Sequence, residues 1–238
     1  MKKLAFFALS AFAAAAMAAG PVSPSAISIS GTSNQTASLG SSMVTNQSNA
    51  KNTAMQNVSS NAGNIQIKGT SNQTTTADNA TIANEAVDKK DWANQNISSN
   101  AGRVEVAMGG TSNQTSTLMQ TTVMNRAAGG DAEALQNLAS NNGNGIRITG
   151  TSNQTVGAGA GVIANSADGS SARATQNLSS NFGKVTIAGI SNQSTFLTTG
   201  SILNSASGSH SHAIQNVASN DACNEPQDPC PTCHRGDR

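Results

Sequence analysis

The chain has 238 residues, of which 11% are charged and 3% aromatic, with 13 basic against 12 acidic side chains. Leaving out Lys2 and Lys3 brings the basic count to 11; so neutral a chain argues against a nucleic-acid partner, which needs a clustered basic surface, and carries little net charge to keep copies apart. With 28 Asn and 14 Gln but one Trp and no Tyr, composition alone would permit disorder.

Residues 1–18 read as a secretory signal peptide. Lys2 and Lys3 form a basic start, Leu4 to Ala15 an apolar run, and Ala16-Met17-Ala18 a small-x-small cleavage site. The mature chain is therefore expected to be exported. No later stretch is apolar enough to serve as a membrane anchor. Residues 19–26 form a short Pro/Ser linker.

From residue 27 to residue 220 the chain repeats itself five times. Gly69-Thr70-Ser71-Asn72-Gln73-Thr74 recurs at Gly31 to Thr36, Gly110 to Thr115, Gly150 to Thr155 and, altered, Gly189 to Ser194. The Gln residues of these copies (Gln35, Gln73, Gln114, Gln154 and Gln193) are spaced by 38, 41, 40 and 39 residues. A period near 40 points to a stacked-repeat architecture.

Each repeat opens with alternating β-branched residues: Ile27/Ile29, Ile65/Ile67, Val104/Val106, Ile146/Ile148 and Val185/Ile187. That alternation predicts a strand with one buried face. A short apolar pair follows, ending in Asn46, Asn84, Asn125, Asn165 or Asn204, each 11 residues after the motif Gln. The third segment is Ala-x-Gln-Asn followed by an aliphatic residue, with Gln56, Gln95, Gln136, Gln176 and Gln215 preceding Asn57, Asn96, Asn137, Asn177 and Asn216. Gly63, Gly102, Gly143 and Gly183 supply the turn into the next strand. Length varies only in the links, and the polar insert Asp88-Lys89-Lys90-Asp91 is expected to be solvated there.

Gly, Ser, Thr and Asn crowd every segment and disfavour helices. The expected fold is all-β: a parallel β-solenoid of five layers, each of three or so strands, becoming cross-β on assembly. In such a stack Gln35, Gln73, Gln114, Gln154 and Gln193 form one column, and Asn57, Asn96, Asn137, Asn177 and Asn216 another. A side-chain amide carries both donor and acceptor, so stacked amides are expected to bond up and down the layers. These ten residues are the candidate self-assembly ladder. No capping repeat is evident in the sequence, and an uncapped layer templates the next molecule.

The run from Asn96 to Val106 (Asn-Ile-Ser-Ser-Asn-Ala-Gly-Arg-Val-Glu-Val), followed by Gly and Asn113-Gln114, resembles the repeat of bacterial functional-amyloid fibre subunits of the Pseudomonas Fap type. More loosely it is similar to curlin, whose repeats also hold Gln, Gly and Asn at fixed positions. The resemblance spans Ile27 to Asn220 and extends to the C-terminal Cys-x-x-Cys, although here five repeats follow closely without long linkers. It implies secretion through an outer-membrane pore, a homopolymeric fibre on the cell surface, a nucleator subunit as partner and a structural role in a biofilm matrix.

The tail, residues 221–238, holds Cys223, Cys230, Cys233 and His234. Cys230-Pro231-Thr232-Cys233-His234 matches a c-type haem attachment pattern, but so short a tail offers no pocket to bury a haem. A redox-active or disulfide role for Cys223, Cys230 and Cys233 is the preferred reading, and zinc through these residues and His234 has no corroborating site. No cofactor or metal is expected. Arg235-Gly236-Asp237 is read as a chance match, and His210 and His212 as solvated loop residues.

No nucleophile–base arrangement, carboxylate pair or phosphate loop stands out, so the chain is not expected to be an enzyme. The competing reading is a monomeric β-solenoid, such as an adhesin or ice-binding module, displaying a flat ladder face. Of the two Thr columns that ice binding usually calls for, only the one at Thr36, Thr74, Thr115 and Thr155 holds well, with Ser194 in the last copy. A small c-type haem carrier ranks third.

Overall fold

The computed structural model describes residues 26–49, 53–87 and 91–222. The segment expected to be a signal peptide, nearly all of the expected linker, Asp88, Lys89 and Lys90, and the three tail cysteines with His234 lie outside the described residues. The described chain is all-β, and its strands pair in parallel into four sheets that run the length of a solenoid. Five turns of chain make five layers.

Three of the sheets take one strand from every layer. The motif sheet comprises Thr32–Gly40, Thr70–Asp78, Thr111–Met119, Thr151–Gly159 and Ile190–Thr198. A second sheet comprises Met43–Ser48, Thr81–Val87, Thr122–Ala128, Val162–Asp168 and Ser201–Ser207. A third comprises Thr53–Val58, Trp92–Ile97, Glu133–Leu138, Arg173–Leu178 and His212–Val217. The fourth sheet closes the turn with short segments such as Asn61–Ala62 and Asn64–Ile67, fused in the fourth layer into Asn141–Ile148.

The layer thus has four sides rather than about three. The additional strand is the motif itself, which lacks an apolar alternation because its inward residues are Ser71 and Gln73, both fully buried. Register is in phase throughout: Gln73 pairs with Gln35 and Gln114, and Gln154 with Gln114 and Gln193.

Two corners of each layer turn on a left-handed residue that is not glycine. Ser41, Asn79, Gln120, Ala160 and Thr199 lie between the motif and second sheets, and Ser59, Ser98, Ala139, Ser179 and Ala218 after the third, all with φ of 46–54°. An L residue in this region carries a local strain that neighbouring layers hold in place. Gly63, Gly102 and Gly183 take positive φ as expected for a turn. In the fourth layer the positive φ passes instead to Gly145, where the register shifts between Gly143 and Ile146.

The dry core has three parts. Ile82, Val123 and Ile163 of the second sheet meet Ile97, Leu138 and Leu178 of the third and Leu118 of the motif sheet. Each such side chain, when fully buried, contributes roughly 1.5–3 kcal/mol. Ile65, Ile67, Val104, Val106, Ile146 and Ile148 make a second cluster, as the alternation predicts. The third is alanine throughout, with Ala86, Ala127 and Ala167 packed on Ala93, Ala134 and Ala174. Such small side chains let the second and third sheets approach closely.

Candidate functional site

Buried amides fill the space that a conventional core gives to apolar side chains. Five amide ladders run unbroken through all five layers. In the third sheet, Gln95 donates to Gln56 at 2.8 Å, Gln136 to Gln95 at 2.9 Å, Gln176 to Gln136 at 2.7 Å and Gln215 to Gln176 at 2.6 Å. Beside them Asn96 donates to Asn57, Asn137 to Asn96, Asn177 to Asn137 and Asn216 to Asn177, at 2.8–3.0 Å.

In the second sheet Asn46, Asn84, Asn125, Asn165 and Asn204 are linked the same way at 2.7–2.9 Å. Another ladder joins Asn61, Asn100, Asn141, Asn181 and Asn220. The last runs on the outside of the motif sheet through Asn34, Asn72, Asn113, Asn153 and Asn192, at 2.8 Å throughout.

The motif Gln column corrects the sequence reading. Gln35, Gln73, Gln114, Gln154 and Gln193 do stack, but among the described residues no bond joins one to the next. Their Nε2 groups cross the interior instead: Gln73 to the Ser99 carbonyl, Gln114 to that of Ser140 and Gln154 to that of Ser180, each at 3.0 Å. Gln193 reaches the Ser219 carbonyl, and Gln35 the Asn61 side chain. The Oε1 atoms of Gln35, Gln73, Gln114 and Gln154 are buried without a hydrogen-bond partner. Opposite this strand the Ser carbonyls take up the Gln Nε2, and no donor from the next layer reaches the Oε1.

The Asn column of the second sheet shows why close packing matters. Asn125 Nδ2 reaches the carbonyls of Ala93 and Leu135, both at 3.1 Å, besides the Asn165 Oδ1. Gln136 Nε2 likewise reaches the Ala164 carbonyl at 3.0 Å. Asn125 therefore bonds Leu135 within its own layer and Ala93 and Asn165 in the layers on either side, while Gln136 joins Gln95 of the layer before to Ala164 of the layer after. Only an alanine-lined gap brings the facing backbone within reach of so short a side chain.

A serine column was not anticipated. Ser99 Oγ donates to the Asn137 carbonyl at 3.0 Å and accepts from the Ser140 amide at 3.2 Å. Ser140 repeats both bonds one layer on. The Ser-Ser-Asn and Ala-Ser-Asn triplets carry this signal in the sequence. Asp91, expected to be solvated, is buried. His210 and His212 lie in the fifth layer, and both are exposed.

Both ends of the stack are open among the described residues. The first-layer strand Thr32–Gly40 pairs only with Thr70–Asp78, and the fifth-layer strand Ile190–Thr198 only with Thr151–Gly159. Val217 of the fifth layer is 40% exposed, whereas Leu178 in the same column is 0% exposed. A further layer is what separates the two environments.

The ladders also have polarity. Those through Gln56, Asn57 and Asn34 donate toward the first layer, and those through Asn46 and Asn61 donate toward the fifth. Each ladder therefore ends in a donor at one end of the stack and an acceptor at the other.

Among the described residues no group of three His, Cys, Asp or Glu side chains is placed to hold a metal ion, and no helix is long and apolar enough to cross a membrane. No protein-family model, curated protein or solved structure matches the chain.

Proposed function

We propose that this chain is a secreted structural protein that self-assembles end to end into extracellular, amyloid-like fibres of a biofilm matrix. The observation that carries the reading is that five amide ladders run unbroken to two open ends with complementary donors and acceptors. Setting a fifth layer on the first layer of another copy gives Asn192 Oδ1 the Asn34 amide, Asn216 Oδ1 the Asn57 amide and Asn61 Oδ1 the Asn220 amide. Parallel strands continue across the junction in the register used within the chain. A heterologous contact of this kind, without rotation that closes a ring, propagates as a filament. The partner is the chain itself, with a nucleator subunit and an outer-membrane pore as accessory partners. The deciding experiment is growth of purified mature chain with and without preformed seeds: seeds abolish the lag if the reading holds. A monomer that stays soluble at high concentration and ignores seeds would sink it.

A second reading, a monomeric surface-binding solenoid, draws on the outer face of the motif sheet. The first Thr of the motif makes a column at Thr32, Thr70, Thr111 and Thr151, in register beside the column at Thr36, Thr74, Thr115 and Thr155. Alternation along the strand puts both columns on the same side, flanking the outer Asn ladder. The same seeding experiment separates the two, since only the fibre reading requires growth.

A further inference from the structure

The fourth layer breaks the regularity of the stack at one point, and positive charge gathers around the break. Val104 and Val185 both pair with Ile146, and Gly183 pairs with Gly143. Two residues, Asn144 and Gly145, therefore stand in the fourth layer where the third has Arg103 and the fifth has Lys184. This is a β-bulge, a device that re-aims side chains and is over-represented beside functional sites. Gly145 adopts φ +110°, and a Cβ built on it would meet nothing nearer than the Arg103 Cγ at 3.8 Å.

An open notch of about 520 Å³, lined by Gly145 among others, lies on the outer face of the fourth sheet. Arg103 and Lys184 flank it across two layer spacings, ~9.6 Å, and Arg147 lines it between them. Among the described residues neither Arg103 nor Lys184 makes an ion pair. The acid in the notch, Glu105, is engaged by Arg147 at 3.2 Å and by the Gln66 amide at 3.1 Å. Three cations around one engaged carboxylate leave the notch net positive.

We propose that this notch is a binding site for the carboxylate of an acidic saccharide. A guanidinium presents a planar fork that matches a carboxylate in two parallel hydrogen bonds, and Arg103 is free to offer one. The volume lies within the range of small-ligand sites and accommodates a sugar ring beside its charged group. Asn144 and Thr186 line the same notch and supply amide and hydroxyl partners for sugar hydroxyls. A nucleic acid is the poorer fit: its charge recurs every ~1.7 Å of duplex, and a net excess of two cations in a single notch does not track a backbone. The site belongs to one chain and does not depend on assembly. If chains do stack, it recurs once per five layers, on the order of 24 Å, and an acidic polysaccharide would engage many copies at once.

The test is titration of the full mature chain with hexagalacturonate, with neutral maltohexaose and with a single-stranded oligodeoxynucleotide of equal charge. We expect the uronate to bind, the neutral sugar not to bind and the oligonucleotide to bind more weakly. Replacing Arg103→Ser with Lys184→Ser should weaken uronate binding about tenfold or more, the loss expected for two charge-assisted contacts. The control Lys68→Ser with Arg126→Ser removes the same net charge away from the notch and should bind as the unaltered chain does. Failure of the uronate to bind, equal loss in the two double variants, or tighter binding of the oligonucleotide would each overturn the proposal.

Discussion

Gln95 Nε2 donates to Gln56 Oε1 at 2.8 Å, joining one layer to the layer before it. In the same layer as Gln95, Gln73 turns its Nε2 to the Ser99 carbonyl at 3.0 Å and leaves its Oε1 without a hydrogen-bond partner. Both side chains are fully buried, and both belong to five-membered columns at a common period. They differ in what faces them, and the difference is measurable.

Gln136→Leu removes two ladder bonds and the bond to the Ala164 carbonyl, stranding a buried donor on Gln176 and a buried acceptor on Gln95. Each stranded group costs roughly 1–3 kcal/mol. Gln114→Leu takes one donor from the Ser140 carbonyl, which keeps the Asn100 amide at 2.9 Å, and removes an oxygen that already lacks a partner. Denaturant unfolding should therefore show Gln136→Leu as clearly the more destabilising. Equal losses would mean that the motif Gln column is a ladder after all.

Asn125→Leu should be more damaging still than its outer counterpart. Asn125 bonds two carbonyls of the third sheet as well as its ladder neighbours, and Leu branches into a gap lined by alanine. Asn113 in the outer ladder is half-exposed, and water replaces what Asn113→Leu removes. We expect a loss on the order of 3 kcal/mol or more for Asn125→Leu and less than about 1 kcal/mol for Asn113→Leu, read from unfolding midpoints.

Glycines divide in the same way. A Cβ on Gly143 would lie 2.0 Å from the Gly102 carbonyl oxygen, whereas one on Gly157 meets nothing within 4 Å. Gly143→Ala should force adjacent layers apart and abolish the cooperative unfolding transition. Gly157→Ala should be neutral or stabilise by up to about 1 kcal/mol, because it restricts the unfolded chain. A well-folded Gly143→Ala protein would contradict the stacked register at this position.

Much of this architecture was legible in the sequence because the layers repeat and the apolar strand positions alternate. Ile65/Ile67 and Val104/Val106 are buried where alternation put them, and Asn57, Asn96, Asn137, Asn177 and Asn216 bond layer to layer within the chain. The motif strand was harder to see, since Ser71 and Gln73 point inward and leave no hydrophobic signature. The cross-core bonds of the motif Gln were not legible either. They depend on Ser99 and its equivalents arriving opposite, some 26 residues further along, which a column argument within one segment does not contain. The non-glycine corners at Asn79 and Ser98 carry no turn residue type common to every layer.

Growth at the fifth-layer end can be blocked without unfolding the stack. Ile190 donates its amide to Gly150 of the fourth layer, and in a strand successive amides alternate direction, so the Thr195 amide faces the open end. The Thr195 hydroxyl has no hydrogen-bond partner. Thr195→Pro removes that outward donor and sets a ring against the incoming strand, as prolines do on protected edges. The variant should retain the β signature of the solenoid yet fail to elongate wild-type seeds at this end. Undiminished growth from both ends would remove the fifth-layer edge from the account.

The central claim is that one chain continues the solenoid of another, and the subunit repeat along an assembled fibre tests it most directly. Electron cryomicroscopy or fibre diffraction of the assembled mature chain should give a layer spacing of ~4.8 Å with parallel strands, and a subunit rise of five such layers, on the order of 24 Å. Fibres with antiparallel strands, or with a single ~4.8 Å rise per chain, would contradict end-to-end stacking of intact five-layer solenoids.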